Sequence, residues 1–220
     1  MKVLVLYCCG GGSSMGYHNL GFEVTGVDIK KKRYYPFKQI KGDCLEIVKD
    51  VAFLKQFDFI HASPPCQTHS RANKCSWGKT SSINHIPQIR QALINSKVPS
   101  VIENVPGSDL KNPIMLCGSM FDLKVRRHRL FELINWDFDR SLIPKCNHKK
   151  QGKPIGVYGS MGDTVKGVCK KTGKTVLGGS TAKNIEEARE AMGIDWLNWR
   201  DLTQAIPPKY TEFIGKQFMK

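Results

Sequence analysis

Apolar residues along this chain form short continuous runs separated by glycine, proline and polar stretches. The runs extend from Met1 to Tyr7, from Gly21 to Ile29, from about Phe57 to Ala62 and from Ser100 to Ile102. Strands of a parallel sheet that is covered on both faces read as continuous apolar runs, because both of their faces are buried. The pattern therefore predicts an α/β protein built on a mainly parallel sheet.

Two segments show the spacing of an amphipathic helix instead. One covers residues 84–97, where Pro87 falls in the first turn, and the other begins near Ala205 and runs to the C-terminus. Their apolar stripes are Ile86, Ile89, Leu93 and Ile94 in the first segment, and Tyr210, Phe213, Ile214 and Phe218 in the second. We predict that the C-terminal helix packs against the sheet as part of the core.

The second half of the chain changes character. Residues 124–133 alternate polar and apolar, which predicts a strand whose basic face carries Arg127 and Arg129, either binding an anionic or base oxygen or simply solvated. Residues 139–183 are rich in Gly, Lys and Thr, with short strands such as Ile155–Tyr158. We predict a main domain over residues 1–138, a small irregular lobe over 139–183, and a segment over 184–220 that returns to the main domain.

A glycine-rich turn over residues 8–16 follows the first strand and leads into a helix ending near Leu20. The next strand ends in Asp28. This order is typical of nucleotide binding, because the glycines let the backbone approach a ligand and the acid accepts ribose hydroxyls. It does not distinguish NAD from S-adenosylmethionine. Asp43, near the next strand end, is either a contact to an adenine amino group or an ordinary turn residue.

Pro64 and Pro65 end the third run and place Cys66 on a stiff turn at the carboxyl edge of the sheet. Such a thiol is a candidate nucleophile, or a half-buried structural cysteine. The polar, basic stretch 67–82 is either a loop that closes over nucleic acid or a solvated linker. Glu103, at the tip of the next strand, places a carboxyl group at the same edge.

The composition of the chain limits the classes of binding partner that we expect. Lys and Arg outnumber Asp and Glu by 34 to 19, a formal net charge of +15, which favours nucleic acid first and an anionic membrane surface second. No apolar run reaches the roughly 18 residues that a membrane span needs. The first run is too short for a signal peptide, so we expect reduced cysteines and a cytoplasmic protein. Cys146, His148 and Cys169 suggest zinc, but their spacing lacks a standard pattern and a fourth ligand, so we predict no metal.

Taken together, the motifs resemble the DNA cytosine-5 methyltransferase family, in the compact form found in bacteriophages. Five features stand in the family's order along nearly the whole chain. They are the cofactor motif Leu6–Gly12, the nucleophile motif Pro64–Gln67, the acid motif Glu103–Val105, the arginine pair of Arg127–Arg129, and the closing motifs Met192–Asp195 and Gln204–Pro208.

The resemblance implies a Rossmann-like S-adenosylmethionine-dependent methyltransferase sheet with a small irregular β-containing target-recognition lobe. It implies that Cys66 attacks C6 of a flipped-out cytosine while Glu103 supplies a proton or hydrogen bond at N3. Arg127 and Arg129 would then bind the base O2 and orient the acid. The implied cofactor residues are Tyr7, Cys9, Gly11, Gly12, Asp28, Ile29, Asp43, Cys44, Pro65 and Gln204. The implied nucleic-acid residues are Gln67, Ser70, Arg71 and Lys74.

The family resemblance also sets the expected partners. We expect double-stranded DNA as substrate, no membrane partner and a monomer. The expected location is cytoplasmic, in a bacterial host if the protein is encoded by a phage, and restriction-modification is the expected context. The sequence departs from the family at Val5, Cys9 and Gln204, where an acid, a glycine and an asparagine are usual. An RNA cytosine-5 methyltransferase and a catalytically silent nucleic-acid-binding relative stay as alternatives. A nicotinamide-dependent oxidoreductase ranks last, because it leaves the Pro64–Gln67 run unexplained.

Overall fold

A computed structural model describes residues 1–65, 84–162, 164–168 and 175–220, with the backbone alone for 164–168 and 175–180. Within these ranges, seven strands form the main sheet and two more form a separate hairpin. The strands are β1 (Lys2–Leu6), β2 (Glu23–Asp28), β3 (Lys38–Lys41), β4 (Phe59–Ala62), β5 (Ser100–Asn104), β6 (Ile114–Leu116), β7 (Arg129–Ile134), β8 (Thr164–Val168) and β9 (Thr175–Ser180). The α-helices are α1 (Gly12–His18), α2 (Cys44–Ile47), α3 (Val51–Leu54), α4 (Ile86–Ser96), α5 (His148–Gln151), α6 (Ile185–Met192), α7 (Trp199–Leu202) and α8 (Pro208–Phe218). Two 3-10 helices span Gly118–Met120 and Arg140–Leu142.

The main sheet has the order β3-β2-β1-β4-β5-β7-β6. Strands β1 to β5 are parallel, while β7 runs antiparallel to both β5 and β6. The predicted α/β class and parallel sheet are thereby confirmed. The strand order reverses between β1 and β4, and in such sheets ligands bind outside the carboxyl ends at this switch point.

Alternate residues of β1 face two separate layers, which explains its continuous apolar run. Val3 and Val5 belong to the core formed with α1 and α8, whereas Leu4 and Leu6 belong to the core formed with α4. All four side chains are fully buried. The expectation that the C-terminal helix packs as core is confirmed, because Tyr210 and Ile214 are fully buried within the first layer.

Two of the expected strands differ from the structure. The strand expected over residues 124–133 starts only at Arg129, because Arg127 has a φ of +35° and cannot continue an extended chain. Ile155–Tyr158 forms no strand, and Gly156 makes one isolated bridge to Thr181. The β-structure of the lobe comes instead from the β8–β9 hairpin.

The C-terminal part of the chain forms a third apolar cluster. It joins α6 and α7 to residues from the middle of the chain, including Val125 and Val157. Among the described residues, no helix has both the length and the apolar character needed to cross a membrane.

Candidate active site at the carboxyl edge of the sheet

The carboxyl edge of the sheet gathers predicted site residues from distant parts of the chain. Tyr7 follows β1, Asp28 ends β2 and Glu103 is the penultimate residue of β5. Because β7 runs antiparallel to β5, its first residue, Arg129, lies at this same edge. The topology therefore brings the predicted acid and one predicted arginine together.

Glu103 and Arg129 form a buried ion pair. The Arg129 Nε lies 3.1 Å from the Glu103 Oε1, and the Glu103 side chain is only 7% exposed. Burial raises the pKa of the Glu103 carboxyl above its usual range, while Arg129, a hydrogen bond from Ser63, and Arg127 oppose this rise. Burial is the largest of these effects, so the carboxyl holds its proton more readily than an exposed carboxyl would.

A buried polar chain leads from the core to this acid. The Tyr17 hydroxyl lies 3.0 Å from Nδ1 of His61, and Nε2 of His61 lies 2.9 Å from the Ser63 hydroxyl, which bonds to Glu103. Burial lowers the pKa of His61 to about 3, so its ring is neutral at physiological pH. The sequence analysis did not predict this series of hydrogen-bonded side chains. Its only signal was one polar residue, His61, inside an apolar run.

The acid strand also holds the turn that precedes the predicted nucleophile. The amide Nδ2 of Asn104 donates a 2.9 Å hydrogen bond to the backbone carbonyl of Pro64. Asn104 is buried, and this bond joins the end of β5 to the end of β4. Cys66 itself lies outside the described residues, as do the predicted nucleic-acid residues Gln67, Ser70, Arg71 and Lys74.

Arg127 occupies a different place from the one predicted. It lies before β7, so the expectation that it shares a strand face with Arg129 is wrong. Its guanidinium donates to the carbonyls of Ala205 at 2.8 Å, Val157 at 3.2 Å and Thr203 at 2.5 Å. Arg127 therefore anchors the loop after α7, although its charge still acts on Glu103. Its predicted contact to a base stays a prediction.

The end of β2 has the chemistry expected of an adenosine contact. Asp28 accepts one backbone N–H on each oxygen, from Cys9 at 3.0 Å and from Lys30 at 3.1 Å. An ionised carboxylate has about four lone-pair sites, so each oxygen keeps one for a ribose hydroxyl. Ile29, directly after it, is 61% exposed and offers an apolar surface beside the acid.

The glycine-rich turn packs against the C-terminal elements. Gly11 has a φ of +90°, and a Cβ on Gly12 would lie 2.3 Å from the carbonyl oxygen of Ile206. Close packing against the backbone of Ile206 thus accounts for the glycine at position 12. The contact also brings the loop carrying Gln204, which is exposed, beside the turn. The predicted closing motif and the predicted cofactor motif are therefore neighbours in space.

Cys9, at the start of this turn, adopts a φ of +46°, where a glycine would be unstrained. Burial and then the neighbouring Asp28 raise the pKa of its thiol to about 12, so the group stays protonated. Val5, another departure from the family, fits its surroundings as well. Val5 is fully buried in the sheet, where an acid would be costly.

Three further predicted residues lie around the turn after β3. The Tyr7 backbone N–H donates to the Cys44 sulfur at 3.3 Å, and the Tyr7 hydroxyl lies 3.0 Å from Nδ1 of His85. Asp43 caps α2 by accepting from the backbone N–H of Leu45 at 2.9 Å. This cap is the turn role that the sequence left open for Asp43, and its contact to adenine stays a prediction.

Comparison with known proteins decides the family. Residues 1–112 match the family described as C-5 cytosine-specific DNA methylase. The chain belongs to this family. It is a methyltransferase of the cytosine-C5 type, and its cofactor is S-adenosylmethionine. The predicted roles of Asp28 and Ile29 in binding this cofactor stay predictions.

One solved structure in particular supports the fold. A DNMT2 mutant (E260A/E261A/K263A) from Spodoptera frugiperda matches with a TM-score of 0.64 at 17% identity, covering 100% of this chain and 99% of that one. A SAM-dependent methyltransferase from Agrobacterium tumefaciens matches with a TM-score of 0.35 at 19% identity, covering 49% of this chain and 40% of that one. The search of curated proteins found no match to this chain.

Proposed function

We propose that this protein methylates C5 of cytosine in double-stranded DNA through a covalent bond between Cys66 and C6 of the base. The observation that carries the proposal is the buried pair of Glu103 and Arg129, joined by Asn104 to the carbonyl of Pro64. This arrangement ties a proton-holding acid to the turn that leads, two residues later, to the predicted thiol nucleophile.

The thiol is needed because C5 of cytosine is a poor nucleophile. Addition of the Cys66 thiolate to C6 converts the ring into an enamine, whose C5 then carries the electron pair that takes the methyl group. When bound, S-adenosylmethionine supplies this methyl group as an electrophile. Loss of the C5 proton and expulsion of Cys66 then restore the aromatic ring and the free enzyme.

Glu103 assists the addition step. As the sulfur adds to C6, negative charge develops at N3, and a protonated carboxyl at hydrogen-bond distance stabilises it. Burial favours the protonated form that this role requires. Arg129 orients the carboxyl through the 3.1 Å contact and provides a donor for the base O2.

The proposal of DNA as the substrate rests on the family and on charge. A net charge of +15 favours a polyanion, and the family matched by residues 1–112 is described as C-5 cytosine-specific DNA methylase. A cytosine inside a duplex hides C6 in the base stack, so the target must be flipped out. We propose that the basic stretch 67–82, which follows the nucleophile, contacts the DNA from which the base is flipped.

Trapping on modified DNA tests the covalent step. Duplex DNA containing 5-fluorocytosine should give a denaturant-resistant protein–DNA adduct, because fluorine at C5 cannot leave as a proton would. Cys66→Ala should abolish the adduct, whereas Cys169→Ser, which alters a cysteine of the lobe predicted over residues 139–183, should retain it. Absence of an adduct with the natural protein, or its survival in Cys66→Ala, would overturn the proposal.

Substrate class is tested separately. Transfer of labelled methyl groups to duplex DNA and to tRNA should be compared side by side under one set of conditions. We expect transfer to DNA, and bisulfite sequencing of DNA from expressing cells would then give the recognition sequence. Transfer confined to tRNA would assign RNA instead, and binding to DNA without any turnover would indicate a silent relative.

A further inference from the structure

Four side chains of the kinds that ligate metals converge beside the segment that precedes β7. They are Cys117, His128, Cys146 and His148, here called the Cys2His2 cluster, and their ligand atoms all lie within 4.8 Å of one another. The Cys117 sulfur lies 3.3 Å from Nε2 of His148, and the Cys146 sulfur lies 3.7 Å from Nε2 of His128.

These distances are close to those around a tetrahedral zinc ion. Zinc–sulfur bonds of about 2.3 Å and zinc–nitrogen bonds of about 2.0 Å place the ligand atoms roughly 3.3 to 3.8 Å apart. Both thiol–imidazole pairs are already near this separation. The widest pair in the cluster has to approach by only about 1 Å, which small rotations of partly exposed side chains supply.

The donor set selects both the metal and its role. Two thiolates and two imidazoles match zinc better than the hard cations, which prefer oxygen. All four positions of a tetrahedron would be filled by protein, so no site is left for a substrate or water, and the metal would be structural. Each thiol releases its proton to solvent on binding, and the two thiolates balance the charge of the ion.

The four ligands come from three separate parts of the chain. Cys117 is buried directly after β6, His128 lies in the turn before β7, and Cys146 and His148 flank the start of α5. Ser119 supports the cluster, because its hydroxyl contacts the Cys117 sulfur at 3.3 Å and accepts from the Asn147 backbone N–H at 3.2 Å. Such outer contacts orient metal ligands.

We propose that the Cys2His2 cluster binds one structural zinc ion, which fastens the start of the small lobe to the turn between β6 and β7. His128 stands between Arg127 and Arg129, so the metal fixes the backbone from which Arg129 reaches Glu103. The sequence expectation of no metal considered Cys146, His148 and Cys169. Cys169 lies outside the described residues, and two ligands come from outside the lobe.

Metal content of the whole protein tests the proposal without reference to activity. Protein purified under reducing conditions with added zinc and then dialysed should contain one zinc per chain by mass spectrometry. Exchange for cobalt should give the absorption of a tetrahedral ion and a thiolate-to-cobalt charge-transfer band. The double variant Cys146→Ala/His148→Ala should lose at least about nine-tenths of the zinc, since half of the ligands are removed.

Matched controls keep the result interpretable. Cys9→Ser removes another partly exposed thiol and His18→Asn another exposed imidazole, and both variants should retain one zinc per chain. The natural protein lacking both zinc and the cobalt bands would overturn the proposal. So would a double variant that retains full zinc, or a Cys117–Cys146 disulfide found by peptide mapping of the freshly purified protein.

Discussion

At the scale of single residues, the acid at the end of β5 depends on groups that no motif includes. Glu103 receives a hydrogen bond from Ser63, which in turn contacts His61, and His61 contacts Tyr17. Each member is buried or nearly so, and a buried polar group without a partner costs about 1–3 kcal/mol. This series of hydrogen-bonded side chains therefore fixes the Ser63 hydroxyl, and with it the orientation of the Glu103 carboxyl.

His61 makes stability depend on pH. Its native pKa of about 3 lies below the ordinary value of 6.5, so the unfolded chain binds more protons between these values. Stability from this group is full above pH 6.5 and is lost as the pH falls towards 3. Lowering the pH from 8 to 5 should reduce the free energy of unfolding of the natural protein through His61 by about 2 kcal/mol. The variant His61→Asn should not show this part of the loss.

Urea unfolding at the two pH values measures this difference. His18→Asn, which removes an exposed histidine, should show the same loss as the natural protein. Equal losses in the natural protein and in His61→Asn would show that His61 does not stay neutral in the folded state.

Ser63 should affect the rate profile through Glu103. The hydrogen bond from Ser63 lowers the pKa of this acid, so Ser63→Ala should raise it. If the protonated acid assists the addition at C6, the alkaline limb of the kcat profile should move to higher pH. Ser96→Ala, which removes a buried hydroxyl at the carboxyl end of α4, should leave the limb in place. A shift to lower pH in Ser63→Ala would contradict this role.

At the scale of elements, a second buried ion pair fastens α4 to the sheet. Arg90 of α4 lies 2.7 Å from the Glu132 carboxylate of β7, and their side chains are 8% and 6% exposed. Glu132 also accepts from the backbone N–H of Lys111 at 2.8 Å. The pair therefore joins a helix, a strand and a loop across the sheet layer.

Breaking this pair should be costly. Arg90→Met leaves the Glu132 charge buried without its partner, which should reduce the free energy of unfolding by about 3–5 kcal/mol. Lys124→Met breaks an exposed pair with Glu190, whose side chains are 56% and 66% exposed, and should lose less than about 1 kcal/mol. Denaturant titration of both variants compares them. Similar small losses would mean that the Arg90 pair is solvated.

At the scale of the whole molecule, the net charge should govern binding to the proposed DNA substrate. The net charge of +15 makes association with a polyanion strong at low salt. If about six phosphates are neutralised, raising the salt from 50 to 200 mM should weaken DNA binding by roughly a thousandfold. Fluorescence anisotropy with duplex DNA measures the slope of log Kd against log salt. A flat response would show that the basic residues do not contact phosphates.

Much of the sheet was predictable because its strands are local apolar runs buried on both faces. The acids Asp28 and Glu103 were placed correctly at strand ends, since parallel strands present their carboxyl ends at one edge. The strand containing Arg127 was predicted wrongly, because alternation alone does not reveal a left-handed φ.

The sequence by itself determined the order of the motifs, the family and the elements that carry Glu103 and Arg129. Those features depend on neighbouring residues and on the spacing of apolar positions, and both can be seen in the sequence alone. Only the tertiary structure decided the polar chain behind Ser63, the carbonyls that hold Arg127 and the meeting of Cys117 and His128 with Cys146 and His148. These contacts join segments far apart in the chain, and their positions follow from strand order and packing rather than from local spacing.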